Sequence, residues 1–421
     1  TKKGRCTHRP FKVNVVYLHH QSNRMTMFKK TDTNPQLDIF TAPSMQLGSR
    51  ASKKYSDPNS WHNQFYSLVT TKIDEEIFKP LFPEGKKSGR PNASIRILVA
   101  MSVLKEGFGC SDEDLFEKCE FDLLTRKALG MELLTDVTPS IDTYYLFRRR
   151  ICEYQERTGF DLMQLCFEQL AGKHVHLLKI SGKCVRMDSK LIGSNIARQS
   201  RYELIHTTLV KFLKTCTLTH LSPEQEERAK EYLKEDSSKT VYRSDSDTLQ
   251  SNLARIGNFI MEMLAAFPAT SPAHDLLQRL FDEQYVVMDG KAVLRDKKEV
   301  KADSLQNPND PDATYRAKND QKVQGYVTNI TETVEEGKPN IITSVQVETA
   351  VFADCHFLQE AVENSERVTD STIEDLYADG AYQSPDNREF AKNHNAMQLK
   401  TGKMQGGCRW ELIPHDRADA L

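Results

Sequence analysis

Tyr377-Ala378-Asp379-Gly380-Ala381-Tyr382 places a carboxylate where an apolar strand stops and a helix begins. Ile373, Leu376 and Ala378 read as a short buried strand. Beyond the turn, Ser384 is a good N-cap, Pro385 suits the first helical position and Asp386 favours the positive helix end. Asp386 to Lys392 is therefore predicted to be helical. Asp379 then falls at the carboxyl end of a strand, where open α/β sheets place ligands and chemistry. Taken alone, Asp-Gly reads first as a turn dipeptide.

A second stretch changes that weighing. Lys183-Cys184-Val185-Arg186-Met187-Asp188-Ser189-Lys190 is also a strand-like run that ends in an acid. Two such acids on neighbouring strands suit hard divalent cations such as magnesium, which prefer carboxylate oxygens and keep open water positions.

The chain has 421 residues, 38% hydrophobic and 28% charged, enough for two or three domains. No apolar run approaches the ~20 residues of a membrane helix, and the first residues are basic with no apolar core, so no secretory leader and no membrane are expected. Nine cysteines (6, 110, 119, 152, 166, 184, 216, 355 and 408) are scattered without a Cys-x-x-Cys pair. That pattern predicts reduced thiols in a cytoplasm rather than a zinc module or disulfide framework. The net charge of −2 is unevenly spread, since residues 1–55 carry eleven Lys or Arg against Asp32 and Asp38, a local excess of +9 (11 − 2). Such an arm can meet phosphates or can be a solvated tail; residues 1–58 are read as a basic, disordered tail, and residues 1–24 as lying outside the native fold.

Residues 59–155 read as a helical domain. Ser60 caps a predicted helix from Trp61 to Lys79, with Phe65, Leu68, Val69, Ile73 and Ile77 on one face and Pro80 at its end. A second follows Ser94 and stops at Gly107. Ser111 with Asp114 has capping-box spacing and opens a third, through Leu115 and Leu123 to Gly130. A fourth runs from Ser140 to Ile151 and carries Arg148, Arg149 and Arg150. Helical units of this size are compatible with helix-turn-helix DNA binding, and the arginine triplet is the sharpening feature. A cationic cluster near a helix end also suits the macrodipole without any DNA.

The two acids are 191 positions apart (379 − 188). Residues 156–197 open the core, and 198–306 read as a helical insertion. The strand pattern returns over 307–421. Gln321 to Thr333 alternates, Glu335 to Pro339 is a hairpin turn, Ile341 to Ala350 alternates again, and Asp354 is read as the N-cap of a helix from Phe357 to Asn364. This succession predicts an α/β fold, a ribonuclease-H-like mixed sheet with an N-terminal all-helical domain and a helical insertion. In that order the first and fourth strands lie side by side, so the acids converge.

The combination resembles the DDE-type transposases of bacterial insertion sequences, in the insertion-sequence-four and -five superfamily. The residues that carry the resemblance are Arg186-Met187-Asp188-Ser189-Lys190, Asp310-Pro311-Asp312-Ala313-Thr314-Tyr315-Arg316-Ala317-Lys318 leading into Gly325-Tyr326, and Tyr377 to Tyr382. The helices of Ser94–Gly130 and Pro139–Arg150 are similar to that superfamily's amino-terminal domain. The resemblance covers roughly residues 27–421.

It implies that Asp188 and Asp379 are catalytic and bind two magnesium or manganese ions for in-line displacement at phosphorus, giving DNA cleavage and strand transfer. It implies double-stranded DNA as partner, as terminal inverted repeats and target, with a homodimer fitting paired ends. Arg316 and Lys318 become candidates for phosphate contact beside Arg148, Arg149 and Arg150. The family's third acid is a Glu on a later helix, with Tyr, Arg and Lys at helical spacing, and no such signature follows Asp379. Glu411, in a strand-like Arg409–Pro414 run, and Asp416 and Asp419 do not fit it. A C-terminally truncated copy with weak metal binding and little strand transfer is the resulting expectation. A non-catalytic DNA-binding remnant and a metal-dependent nuclease on the same fold remain alternatives.

Overall fold

Spacing alone favours one long helix after Ser60, yet the chain breaks it. In the computed structural model, which describes residues 28, 30, 46–82, 92–269, 271–318, 321–395 and 397–401, helix α1 (Ser49–Tyr55) is followed by α2 (Trp61–Leu68). Two 3-10 turns, Thr70–Lys72 and Glu75–Leu81, replace the expected continuation, because Asp74 caps the second by accepting the Glu76 N–H. Helix α3 (Ile95–Phe108) starts at Ser94 and runs past Gly107 to Gly109, whose φ of 61° closes it in the left-handed region.

The expected third helix is two. Ser111 and Asp114 do form a capping box for α4 (Asp112–Phe121), but Asp122 then accepts the N–H groups of Leu124 and Thr125 and starts α5 (Leu123–Leu129). A side chain that satisfies two orphan donors outcompetes helix continuation at that point. Helix α6 (Ile141–Thr158) extends past the expected end to Gly159, and α7 (Leu162–Leu178) follows. Ile73, Phe78, Ile95, Met101, Leu115, Tyr144, Phe147 and Cys166 fill one core.

Helix α7 joins this unit to the sheet. Leu162 and Cys166 sit in the helical core, Lys173 Nζ donates to Lys72 O at 2.8 Å, and Glu168 pairs with Arg367 at 2.8 Å. A Cβ at Gly172 would stand 3.0 Å from Val368 O, so glycine there allows close approach.

Strand β1 (Cys184–Gly193) leads into the inserted unit: α8 (Arg201–Leu213), α9 (Pro223–Lys234), α10 (Ser237–Arg243), α11 (Ser246–Ala266) and α12 (Pro272–Gln284). The insertion also holds a hairpin that the helical reading missed, β2 (Tyr285–Met288) and β3 (Lys291–Leu294), turning through Asp289 and Gly290 at φ 49° and 73°. Asp-Gly at two positive φ values is a favoured two-residue hairpin turn. Tyr202, Ile205, Phe212, Ile256, Phe259, Leu277 and Tyr285 belong to a second core.

The remaining strands are β4 (Thr314–Lys318), β5 (Gln321–Thr333), β6 (Ile342–Thr349), β7 (Asp375–Ala378) and β8 (Gln398–Thr401). They form one sheet with β1 in the order β4-β5-β1-β7-β8, with β6 also on β5. Strand β1 is antiparallel to β5 and parallel to β7, and β7 is parallel to β8. The long β5 pairs β4 through Gln321–Gly325 and β6 through Tyr326–Glu332.

One face of the sheet is apolar. Val185, Met187, Val327, Leu376 and Ala378 pack against Leu358, Ala361 and Val362 of α13 (Leu358–Thr369), with Tyr382 and with Ala391 of α14 (Pro385–Asn393). Asp354 does not cap α13 as expected: it lies in a 3-10 turn, Asp354–Phe357, and its Oδ1 meets Arg316 Nη1 at 3.4 Å. Strand β8, after α14, was not anticipated, while the strand read at Arg409–Pro414, with Glu411, Asp416 and Asp419, lies outside the described residues.

Candidate acid-pair site

Parallel pairing of β1 and β7 sets the site. Cys184 pairs with Asp375, Val185 with Leu376 and Arg186 with Tyr377. That pairing stops two residues before Asp188 and Asp379, and β1 runs on to Gly193, so Asp188 lies in mid-strand rather than at the strand end that its sequence suggested. Alternation assigns the side chains. Val185 and Met187 are buried, whereas Arg186 and Asp188 are exposed on the other face. Along β7, Leu376 and Ala378 are buried, so Asp379 comes next on the open side, where it is half-buried.

Each carboxylate is held by one oxygen. Asp188 Oδ1 accepts the Ser189 N–H at 2.8 Å, and Asp379 Oδ1 accepts the Ala381 N–H at 2.7 Å. The second holds Asp379 as N-cap of the short 3-10 turn Gly380–Tyr382. Among the described residues, neither Oδ2 has a hydrogen bond or an ion pair.

Behind the pair lies a buried polar chain. The Tyr382 hydroxyl, fully buried, donates to Asn329 Oδ1 at 2.6 Å. Asn329 Nδ2 donates to Gln346 Oε1 at 2.8 Å, and Gln346 Nε2 to Phe357 O at 3.3 Å. Burial pushes the Tyr382 hydroxyl well above the usual phenol range; the negative charges of Asp354, Asp188 and Asp379 push the same way and the Ser189 hydroxyl opposes them. Three carboxylates thus act on one buried hydroxyl. Sequence reasoning missed the part played by Tyr382 and Asn329. A signal was present: Asn329 is a polar residue at an inward position of an alternating strand, which needs a partner.

Four of the basic candidates have intramolecular contacts. Arg148 Nη1 is 3.9 Å from Asp112 Oδ1 and its guanidinium stands 5.4 Å from the Tyr144 ring centroid. Arg149 pairs with Glu153 at 3.5 Å, one helical turn on, and Arg150 stands 5.5 Å from the Phe82 ring centroid. Arg316 Nη1 donates to Ala350 O and Phe352 O besides Asp354, tying β4 to the loop after β6. Lys318 ends β4. Among the described residues, no group of three or more His, Cys, Asp or Glu is placed to hold a metal ion.

Comparison with known proteins bears on the helical unit. Residues 54–150 match the family model described as a transposase domain (DUF772). This transposase-domain segment runs from the end of α1 to Arg150 in α6 and takes in most of the first core. It covers under a quarter of the 421 residues, and the acid pair lies outside it. No curated protein and no solved structure matches the chain. No helix among the described residues is long and apolar enough to cross a membrane.

Proposed function

We propose that this chain is a DDE-type transposase that acts on double-stranded DNA, with a ribonuclease-H-like sheet and Asp188 and Asp379 as its catalytic acids. One observation supports the reading: Asp188 and Asp379 each follow, by two residues, the paired stretch of the adjacent parallel strands β1 and β7, in a chain with a transposase-domain segment. The strand order β6-β5-β1-β7-β8, antiparallel then parallel about β1, supports the fold assignment.

The donor set suits a hard divalent cation, because two carboxylates with unengaged Oδ2 atoms face solvent on one side of the sheet. Asp188 and Asp379 would hold magnesium or manganese, two ions in all, which when bound supply charge stabilisation for displacement at a phosphodiester. The protein's own part is positional. Ser189 N–H and Ala381 N–H each hold one oxygen of a carboxylate. The transposase-domain helices, with Arg149 more exposed than Arg148, would supply phosphate contacts at a distance from the acids.

Plasmid DNA bearing the element's own ends tests this, with Asp188→Asn and Asp379→Asn beside the unaltered chain. Magnesium- or manganese-dependent cleavage that falls to background in both variants, with DNA retention unchanged, is the expected result. Cleavage that survives either substitution would sink the assignment. Retention without cleavage by the unaltered chain would favour the second reading, a DNA-binding protein without the chemistry; the absence of a three-acid cluster among the described residues is what keeps that reading in view.

A further inference from the structure

We propose that Tyr382 is the positioning residue of the acid pair: its hydroxyl, fastened to Asn329 on β5, holds the Asp379 turn in place against the strands that carry Asp188. The inference rests on the acid-pair reading and deepens it.

The ladder leaves a gap. Pairing between β1 and β7 ends at Arg186 and Tyr377, two residues short of both acids. Backbone hydrogen bonds between the strands therefore do not fix Asp379 relative to Asp188. The Tyr382 hydroxyl closes that gap from the buried side. It donates at 2.6 Å to Asn329, and Asn329 is the register partner of Ser189, the residue after Asp188. Side chains of a strand alternate, so Ser189 and Asn329 stand on the covered face while Asp188 stands on the open one. The hydroxyl thus reaches the row beside Asp188 from behind.

Both ends of the strap are anchored. Asn329 is held by Gln346 at 2.8 Å, and Gln346 by Phe357 O. At the other end, Asn387 Nδ2 donates to Tyr382 O at 2.8 Å and to Cys355 O at 2.7 Å. The Tyr382 N–H returns to Asp379 O at 3.2 Å, closing the turn on the acid itself. A residue that only filled the core would need the ring and not the hydroxyl. Among the described residues, the hydroxyl is the one side-chain link from the Asp379 turn to the β1–β5 pair.

Manganese alone is the probe, titrated into the full chain and into Tyr382→Phe, Tyr326→Phe, Asp188→Asn and Asp379→Asn. Tyr326→Phe is the control for losing a half-buried strand hydroxyl, since Tyr326 donates to Asp310 and pairs with Ile192, four residues along β1 from Asp188. Tyr382→Phe is expected to raise the manganese Kd roughly tenfold or more, the usual range for a group that orients a ligand. Tyr326→Phe should leave Kd within about twofold, with both variants folded by circular dichroism. If both Asn variants abolish binding and Tyr382→Phe matches the unaltered chain, the positioning role is overturned and the acid pair stands. If the Asn variants bind as the unaltered chain does, or that chain binds no manganese, the acid-pair reading falls and the positioning role with it.

Discussion

Gly325 is a position in the sheet that has no room for a side chain. It faces Gly193 where β5 passes from pairing β4 to pairing β6. A Cβ there would fall inside contact distance of Ile192 O and 2.6 Å from Ser194 N, both backbone atoms that cannot swing aside. Gly325→Ala is expected to lower stability by roughly 1–3 kcal/mol, the range for overpacking a well-filled site. Urea unfolding checks it, and an unchanged midpoint would mean that the strands separate there without cost. At this scale the sequence was informative wherever a residue acts through its neighbours. Asp379 could be placed because an apolar strand precedes it and a Ser-Pro helix start follows. Asp354 could not, because its partner Arg316 is 38 positions away and nothing local distinguishes a cap from an ion pair. The same distance hid the Arg316 contacts with Ala350 O and Phe352 O, which brace β4 against the loop after β6.

Elements were legible to the extent that periodicity decides them. The alternation at β5 and β6 and the capping box of α4 carried enough signal, whereas boundaries set by one competing side chain did not. Asp122 shows the competition: it ends α4 and starts α5 by accepting two backbone N–H groups and the Thr125 hydroxyl at 2.6 Å. Asp122→Ala is expected to cost about 1 kcal/mol, as for other lost caps, with the loss read as a lower thermal midpoint. The inserted unit carries a pH dependence of its own. His206 is buried on α8, 3.1 Å from Tyr232 O and 3.6 Å from Glu235 Oε2, with Tyr202 and Asp236 also close. Burial holds its imidazole below the ordinary histidine range, against the pull of Glu235. A depressed folded pKa means that the unfolded chain takes up the proton first, so stability is full above about pH 6.5 and declines as pH falls below it. Urea midpoints should drop between neutral pH and pH 5.5, and His206→Gln should flatten that part of the slope. A slope unmoved by the substitution would assign the dependence to other groups.

Across the whole molecule, charge decides how the proposed DNA partner could be met. The net charge is −2, so attraction to a polyanion cannot come from the average field and has to come from local basic surface. Affinity for DNA should therefore fall linearly in log–log terms with salt, with a slope of roughly 0.9 per phosphate contacted. Helix α6 offers three arginines in unequal settings. The Arg148 side chain is 18% exposed and shared between Asp112 and the Tyr144 ring, while Arg149 is 48% exposed with a Glu153 partner 64% exposed. A pair that open to water contributes little and exchanges readily for a phosphate. Arg150 packs on Phe82, so its truncation removes apolar contact as well as charge. Arg149→Ala is expected to reduce the salt slope by about one contact and leave the thermal midpoint in place, whereas Arg150→Ala should lower the midpoint. Equal salt slopes for Arg149→Ala and the unaltered chain would move the DNA surface away from α6, to the basic residues before α2 or to the open face of the sheet beside Arg186 and Lys190. Binding isotherms at three or more salt concentrations separate these outcomes, because a lost phosphate contact changes the slope and a loosened helix changes only the intercept.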